Sequence, residues 1–203
     1  MMEGERMDAL ECLLTRRSVR KFADRNVDNE TLRKVIEAAR HAPSWANTQC
    51  WEFIVVRDSG VKEQLLKTFP EANAARKSVL QAPVVLAILA KQGLAGYYQG
   101  KPATSKGDGW SMYDVGLASQ NLSLAAHALG LGSVILGLFD TAAAEKVLSV
   151  PENTTLVALM PMGYPEKMPT AVPPRKQLCE FVFLNKYESP WVKGVEKLCF
   201  VEE

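Results

Sequence analysis

The sequence contains few of the residues that build metal centres and nucleophilic active sites. Its 203 residues include four cysteines and two histidines. The cysteines are far apart, without the Cys-x-x-Cys spacing that holds zinc or an iron–sulfur cluster. No Gly-x-Ser-x-Gly motif marks a serine hydrolase. The sequence therefore predicts no metal site and no catalytic triad, and we expect the thiols to be reduced.

The chain also lacks an excess of charge and a long apolar run. Its 24 basic and 23 acidic side chains give a net charge of +1, which is too small to attract nucleic acid or a membrane surface. The most apolar stretch, residues 115–139, contains four glycines and several polar side chains, so a buried helix followed by a turn and strand is favoured over a membrane span. The first eight residues are charged and do not resemble a secretory signal. We expect a cytoplasmic protein without nucleic-acid or membrane partners.

One short stretch concentrates positive charge. Thr15–Phe22 contains four cations and two hydroxyl groups within eight residues. A planar guanidinium group donates two hydrogen bonds to phosphate, and a neighbouring hydroxyl adds another. The stretch therefore suits a single phosphate monoester, although a solvated basic segment before a helix is the alternative.

The remaining pattern predicts one domain of mixed α and β structure over residues 1–203. We expect a helix that Asp28 or Asn29 caps and that ends before Pro43. A capping box, Ser111–Asp114, is expected to open the longest helix, which ends at Gly130. Strands are predicted at residues 51–56, 83–89, 133–139, 155–160 and 178–184.

No general acid, base or nucleophile stands out among these elements. His127 lies within an apolar helix and is best explained as a core residue, while His41 lies at a helix C-terminus, where the helix dipole favours it. What remains is a phosphate-binding stretch, a donor-rich loop at residues 43–49 and a long segment at residues 93–109. This combination is typical of an enzyme whose bound cofactor performs the difficult chemical step.

Two motifs resemble the N-terminal signature of the FMN-dependent nitroreductase family. They are Arg16–Phe22 and Ala42–Phe53. Three later segments are similar to further family motifs in order and spacing: residues 128–133 with Gly137, residues 162–165 and residues 174–176. The resemblance extends over about residues 13–183.

The resemblance implies a fold, a cofactor and a reaction. The fold would be α+β, nitroreductase-like, with a central mixed, mostly antiparallel sheet flanked by helices. Two chains would form a homodimer with FMN at the interface and a C-terminal arm, residues 185–203, reaching the partner. NADH or NADPH would reduce FMN, and a nitroaromatic, quinone or related acceptor would then take the electrons in a ping-pong mechanism. The flavin would do the chemistry, so no catalytic side chain is expected.

The same resemblance assigns five basic or hydroxyl side chains to the phosphate, the ribityl chain and the pyrimidine side of the FMN. Arg16, Arg17 and Ser18 would hold the phosphate or the ribityl chain, and Arg175 would close the phosphate site. Arg20 would reach the ribityl–pyrimidine side, where a cation stabilises reduced flavin and raises its potential.

Other assignments concern the flavin ring. Pro43, Ser44 and Asn47 of the other subunit would line it. Leu136 and Gly137 match the segment whose backbone amide points at flavin N5. Two further positions match the family less directly. The family often has proline where this chain has Cys50. The family's Asn and Lys side chains that contact the cofactor are matched best by Asn73 with Lys77 or Arg76.

The acceptor site is predicted from the residues of the 93–109 segment. A loop of this length is more often a lid or a binding segment than a plain connection. Tyr97 and Tyr98 are candidates for stacking on an acceptor, and ordinary interface packing is the alternative.

Three functions stay open at this point. The first is the nitroreductase-type oxidoreductase. The second is a flavoenzyme of the same fold that performs dehalogenation or fragments the flavin itself. The third is a non-catalytic flavin-binding or regulatory protein. The sequence carries no dinucleotide fingerprint that would distinguish NADH from NADPH.

Overall fold

The computed structural model describes residues 7–190. The chain divides into two compact units, Met1–Pro169 and Thr170–Glu203. Among the described residues, no helix is both long and apolar enough to cross a membrane. The same residues contain no group of His, Cys, Asp or Glu side chains that could hold a metal ion.

The first unit is built on a four-stranded antiparallel sheet. The strands of the chain are β1 (Trp51–Val56), β2 (Val84–Lys91), β3 (Tyr97–Tyr98), β4 (Lys101–Pro102), β5 (Gly132–Ser133) and β6 (Thr154–Gly163). The sheet has the order β1-β2-β6-β5, and β3 and β4 form a separate hairpin. Seven of the eight residues of β2 are buried, as expected for a central strand that is covered on both faces.

Six α-helices and three short 3₁₀ helices complete the described chain. The α-helices are α1 (Ala9–Thr15), α2 (Asn29–Arg40), α3 (Ser59–Leu66), α4 (Ser78–Gln81), α5 (Gly109–Ala128) and α6 (Thr141–Leu148). The 3₁₀ helices are Trp45–Asn47, Ala74–Lys77 and Leu178–Glu180. Asp28 caps α2 by accepting a hydrogen bond from Thr31 N–H at 2.7 Å, which confirms one of the two predicted caps.

Two apolar clusters cover the opposite faces of the sheet. Leu86 and Ile88 of β2 belong to the cluster that includes Leu122 of α5 and Val35 of α2. Their neighbours Val85, Ala87 and Leu89 belong to the cluster that contains Leu65, Val79 and Ala144 of the shorter helices. This alternation follows the two-residue period of a strand, and it confirms the predicted α+β fold with helices on both sides of an antiparallel sheet.

Several sequence-based predictions of local structure are wrong. Ser111–Asp114 is not a capping box, because α5 begins at Gly109 and Asp114 lies inside it. The predicted strand at residues 178–184 is replaced by a 3₁₀ helix at Leu178–Glu180. The helix α1 was not predicted, and the long segment at residues 93–109 contains the β3–β4 hairpin.

The cysteines differ from one another. Cys12 and Cys50 are free, as predicted, and both are buried. Cys179, in the second unit, is disulfide-bonded, so the expectation of reduced thiols is wrong for this residue.

The described part of the second unit, residues 170–190, is mostly irregular. Gln177 and Glu180 form a capping box around its 3₁₀ helix, and the rings of Phe183 and Tyr187 lie 4.9 Å apart between centroids. Most of the predicted C-terminal arm, including residues 191–203, lies outside the described residues.

Candidate flavin site

The predicted phosphate-binding stretch lies against the short strand β5. Val19 N–H donates to Ser133 O at 2.9 Å, and Ser18 and Ser133 form a parallel bridge. Gly132 permits this approach, because a Cβ atom on it would lie 2.5 Å from Val19 Cβ. The close backbone contact therefore brings Ser18 beside Ser133 and fixes the direction of the stretch.

A polar cavity of about 140 Å³ opens at this junction. Its side chains are one guanidinium group, one amide, three hydroxyl groups and two apolar groups, contributed by Arg16, Ser18, Gln120, Ser123, Ser133, Val134 and Ile135. Guanidinium and hydroxyl groups are the donors that phosphate oxygens accept. The structure thus brings together Arg16 and Ser18, two of the predicted phosphate ligands.

Three polar residues of this cavity were missed by sequence reasoning. Gln120 and Ser123 lie on α5, where small polar residues in an otherwise apolar helix carry no clear signal of a site. Ser133 follows a glycine motif that is weak on its own. Ser123 and Ser133 are each 4% exposed, so their burial at a cavity identifies them only in the folded chain.

Arg17 and Arg20 have surroundings different from those of Arg16. The Arg17 guanidinium donates to Leu14 O at 2.6 Å and to Arg16 O at 2.9 Å, so it satisfies carbonyl groups at the end of α1. Arg20 is exposed and does not line the cavity. Of the three arginines in this stretch, only Arg16 faces the cavity.

The positive charges of Arg16 and Arg17 affect the neighbouring His127. His127 Nε2 lies 2.8 Å from Thr15 Oγ1, so the side chain is hydrogen-bonded. It is half-buried, so its prediction as a core residue is wrong. Burial lowers its pKa, and the charges of Arg16 and Arg17 lower it further. The same two guanidinium charges would attract an anion to this end of the molecule.

The donor-rich loop adopts an unusual backbone conformation. Ala46, Asn47 and Gln49 have φ angles of 46°, 56° and 48°, in the left-handed region that non-glycine residues rarely occupy. Each such residue costs on the order of 1–3 kcal/mol and persists only where the surroundings enforce it. Strain of this kind concentrates at functional sites, so the loop remains a candidate for ligand contact.

The predicted loop residues are held mostly by the loop itself. Ser44 Oγ accepts from Gln49 N–H at 3.0 Å, and Asn47 Oδ1 accepts from Gln49 Nε2 at 3.2 Å. Pro43 and Asn47 are exposed, and Ser44 is half-buried. None of these residues lines the Arg16 cavity.

A buried carboxylate lies beneath this loop. Asp114 is 1% exposed, and its Oδ2 atom accepts from Trp45 N–H at 2.9 Å. Cys50 Sγ lies 3.8 Å from the same oxygen. Burial raises the pKa of Asp114, while the bonds from Trp45 and Cys50 lower it. Burial together with the Asp114 charge raises the pKa of Cys50 to about 11, which leaves the thiol protonated.

In the segment predicted to face flavin N5, the first residue, Leu136, is hydrogen-bonded to the sheet. Leu136 N–H donates to Leu159 O at 2.8 Å and its side chain is in the core, so its amide is already used. In the described part of the chain, the amides of Gly137 and Leu138 donate to no protein acceptor. A Cβ atom on Gly137 would meet nothing within 4 Å. Open backbone donors therefore lie one and two residues later than Leu136, at Gly137 and Leu138.

Asn73 is connected to this segment. Its Nδ2 donates to Leu138 O at 3.2 Å, and its Oδ1 accepts from Ala75 N–H at 3.0 Å. The Oδ1 atom and one of the two Nδ2–H donors are thus engaged, so Asn73 links to the 136–138 segment. Its predicted contact with FMN stays a prediction.

The two tyrosines predicted to stack on the acceptor have different surroundings in the structure. Tyr97 OH donates to Asp108 Oδ2 at 3.0 Å, and this bond raises the pKa of the phenol. Tyr98 is 70% exposed and lines an open cavity of about 530 Å³ together with Trp45 and Lys101. The Tyr98 ring is thus the more exposed of the two, since Tyr97 is half-buried, and the stacking role of both tyrosines stays a prediction.

Arg175 belongs to the second unit. It is exposed, and its Nη1 atom lies 3.5 Å from Pro173 O. Its assignment to the phosphate site stays a prediction.

Comparison with known proteins identifies relatives along most of the chain. The model of the nitroreductase family matches residues 13–164. A curated relative from Methanothermobacter thermautotrophicus, described as a putative NADH dehydrogenase/NAD(P)H nitroreductase, is 34% identical over 168 residues, covering 81% of each chain. The 5,6-dimethylbenzimidazole synthase of Rhodospirillum rubrum is 28% identical over 186 residues, covering 79% of this chain and 83% of that protein.

Solved structures share the fold. An FMN-dependent nitroreductase from Clostridium difficile R20291 superimposes with a TM-score of 0.71 at 26% identity, covering 88% of this chain and 99% of that one. Similarity on this scale shows that the chain shares its fold with that protein.

Proposed function

This chain belongs to the nitroreductase family, and on that premise we propose that it is an oxidoreductase that uses bound FMN to pass electrons from NAD(P)H to a nitroaromatic, a quinone or a related acceptor. The observation that carries the proposal is the Arg16 cavity, in which a cation and three hydroxyl groups converge where β5 meets the basic stretch. FMN is the flavin that ends in a single phosphate monoester, and this cavity suits that group.

The residues present fit FMN at two places. Arg16, Ser18, Ser123 and Ser133 would hold the phosphate through charged and neutral hydrogen bonds. The amides of Gly137 and Leu138, which have no protein acceptor in the described chain, would donate to the flavin ring. Arg17 and Arg175 were also predicted at the phosphate, and Arg20 at the ribityl–pyrimidine side, and these roles remain proposals.

When bound, FMN supplies hydride transfer from the nicotinamide donor to the acceptor. The chain itself orients the ring and excludes water from one of its faces, for which the exposed side chains of Ile135 and Leu138 are suited. Hydride transfer requires orientation more than proton transfer. This agrees with the absence of a predicted catalytic acid or base at the site.

The proposal includes a homodimer in which the partner completes the site. Pro43, Ser44 and Asn47 do not line the Arg16 cavity of their own chain, and in this proposal they line the flavin of the other subunit. One flavin-binding domain over residues 1–203, a C-terminal arm reaching the partner and a cytoplasmic location are further parts of the proposal.

Spectroscopy of the purified protein tests the cofactor. We expect a yellow protein with flavin absorption bands, from which heat releases a chromophore identified as FMN. A colourless protein that does not bind added FMN would contradict the proposal.

A second experiment, oxidation of NADH and NADPH with menadione or nitrofurazone as acceptor, tests turnover. The ratio of the kcat/KM values for NADH and NADPH identifies the preferred donor.

A second candidate function is fragmentation of the flavin itself. The similarity to a 5,6-dimethylbenzimidazole synthase favours this candidate. Incubation of the protein with FMN, NADPH and oxygen, followed by mass spectrometry, separates the two functions. Dimethylbenzimidazole as a product, with no turnover of menadione, would support the second function and overturn the first.

A further inference from the structure

The loop at residues 44–49 is connected to other elements by one hydrogen bond and by the packing of Trp45 against the core. Within the loop, Ser44 Oγ accepts from Gln49 N–H, and Thr48 N–H donates to Trp45 O at 3.0 Å. Over residues 7–190, the only hydrogen bond that reaches the loop from another element is the one from Trp45 N–H to Asp114 Oδ2, at 2.9 Å. This bond connects residues that are 69 positions apart.

The surroundings of Asp114 make it a costly residue to retain for packing alone. Its side chain is buried on α5 and is paired with no cation in the described structure. The groups that contact its Oδ2 atom are the backbone N–H of Trp45 and the thiol of Cys50. A buried carboxylate with so few partners destabilises a fold, so a contribution to the site above it would explain its presence.

We propose that Asp114 is a positioning residue for the flavin-lining loop. By accepting from Trp45 N–H it fixes the start of a strained segment, and so sets where Ser44 and Asn47 lie. The inference rests on the proposed function for its consequence in FMN binding, although the hold on the loop is testable without any cofactor.

Three variants separate this role from ordinary core packing. Asp114→Ala removes the acceptor. Asp114→Asn removes the charge but keeps a carbonyl oxygen that accepts from Trp45 N–H. Ser119→Ala is the matched control, because Ser119 is buried on the same helix and its hydroxyl donates to Val115 O within that helix, away from the loop.

The first measurement is amide hydrogen exchange of the FMN-free protein over residues 44–49. We expect exchange about tenfold faster in Asp114→Ala, the loss expected when a hydrogen bond to a charged group is removed. Asp114→Asn should stay close to wild type, and Ser119→Ala should be unchanged. Equal exchange in Asp114→Ala and Ser119→Ala would overturn the proposal. If Asp114→Ala does not fold, Asp114→Ser provides the test, because its short hydroxyl does not reach Trp45 N–H.

The second measurement is FMN affinity by flavin fluorescence, together with kcat and KM for menadione. Asp114→Ala should raise the FMN dissociation constant about tenfold, with recovery in Asp114→Asn. Unchanged FMN affinity despite a loosened loop would contradict the positioning role. Absence of FMN binding and turnover in the wild-type protein would instead contradict the proposed function, and would leave the exchange result as the test of the Asp114 contact.

Discussion

Arg16 and Arg17 are neighbours in the sequence, but their guanidinium groups have different surroundings. Arg16 lines the polar cavity, whereas Arg17 is bonded to the carbonyl groups of Leu14 and Arg16. A guanidinium group that already satisfies the end of a helix contributes to local structure. One that faces a cavity with hydroxyl groups is available for a ligand. Arg16 and Arg17 carry the same charge, and they differ in what their guanidinium groups face.

This difference gives a paired prediction for FMN binding. Arg16→Ala should weaken FMN binding by about 1.5–3 kcal/mol, the contribution of a charge-assisted hydrogen bond. Arg17→Ala should weaken it by less and should mainly reduce thermal stability, because the carbonyl groups at the end of α1 lose a donor. Isothermal titration of the apoproteins with FMN measures both. A larger affinity loss in Arg17→Ala than in Arg16→Ala would reverse the assignment.

Asp114 gives a second prediction, on stability and pH. Burial raises its pKa in the folded protein above the ordinary value of 3.8, so folding favours the protonated carboxyl. The resulting stabilisation is fully present below the unfolded pKa and is lost as the pH rises through the folded pKa. Asp114→Asn is neutral at every pH and lacks this loss. The melting temperature of Asp114→Asn minus that of the wild-type protein should therefore increase as the pH increases from 3.8.

The control for this prediction is the same comparison in Ser119→Ala. Its difference from wild type should not change with pH, because the hydroxyl group does not titrate in this range. A constant difference between Asp114→Asn and wild type across the pH series would show that the Asp114 carboxyl has an ordinary pKa in the fold.

At the scale of elements, the site depends on how closely the basic stretch packs against β5. Gly132 and Val19 are both buried, and a Cβ atom on Gly132 would overlap Val19 Cβ. The contact holds Ser18 beside Ser133. Because the overlap would involve Cβ rather than a flexible side-chain end, the backbones would have to separate in order to accommodate it.

Gly132→Ala should therefore damage both stability and FMN binding. Overpacking of this kind typically costs about 1–3 kcal/mol, and separation of the two segments would widen the phosphate cavity. Gly109→Ala is the control, since its new Cβ would lie at an ordinary 3.7 Å from Lys106 Cβ. Urea unfolding and FMN titration measure the two effects. Equal stability of the two variants would show that the basic stretch is not held by this contact.

Elements with a buried face were predictable from the sequence, and those without one were not. α2 repeats its apolar residues at helical spacing after an Asp cap, so both its existence and its start were predicted. α1 buries only Cys12 and leaves Leu10 and Leu14 exposed, so its apolar pattern indicates no core-facing side. The β3–β4 hairpin has two-residue strands and a turn with a positive φ angle at Gln99, which no periodicity reveals.

The residues of the candidate site were likewise predicted from the sequence only in part. Arg16 and Ser18 lie within a recognisable motif, and the structure places both at the cavity. Asp114, Ser123 and Ser133 lie far along the chain from the Arg16–Phe22 motif. The two serines carry no local signal, and the local pattern around Asp114 indicated a helix cap instead of a site. Their participation depends on tertiary packing, which brings α5, β5 and the 44–49 loop into contact with other segments.

At the scale of the whole molecule, the exposed apolar side chains of α1 require an explanation. Leu10, Leu13 and Leu14 are 69%, 50% and 74% exposed and lie at helical spacing on one side of the helix. Apolar stripes of this kind are normally covered in a stable protein. A second copy of the chain is the partner that the proposed homodimer supplies, and the partner's 44–49 loop would then complete each flavin site.

The dimer gives the final prediction. A double variant with Leu10→Glu and Leu14→Glu should shift the protein from dimer to monomer in sedimentation equilibrium, because two carboxylates would have to be desolvated at the interface. FMN binding should be lost with the dimer, since each site would lack the partner's Ser44 and Asn47. Leu80→Glu is the control, because Leu80 is 42% exposed but lies on α4. A double variant that stays dimeric, with full FMN occupancy, would place the interface elsewhere, and a monomeric wild-type protein that binds FMN would remove the partner from the site altogether.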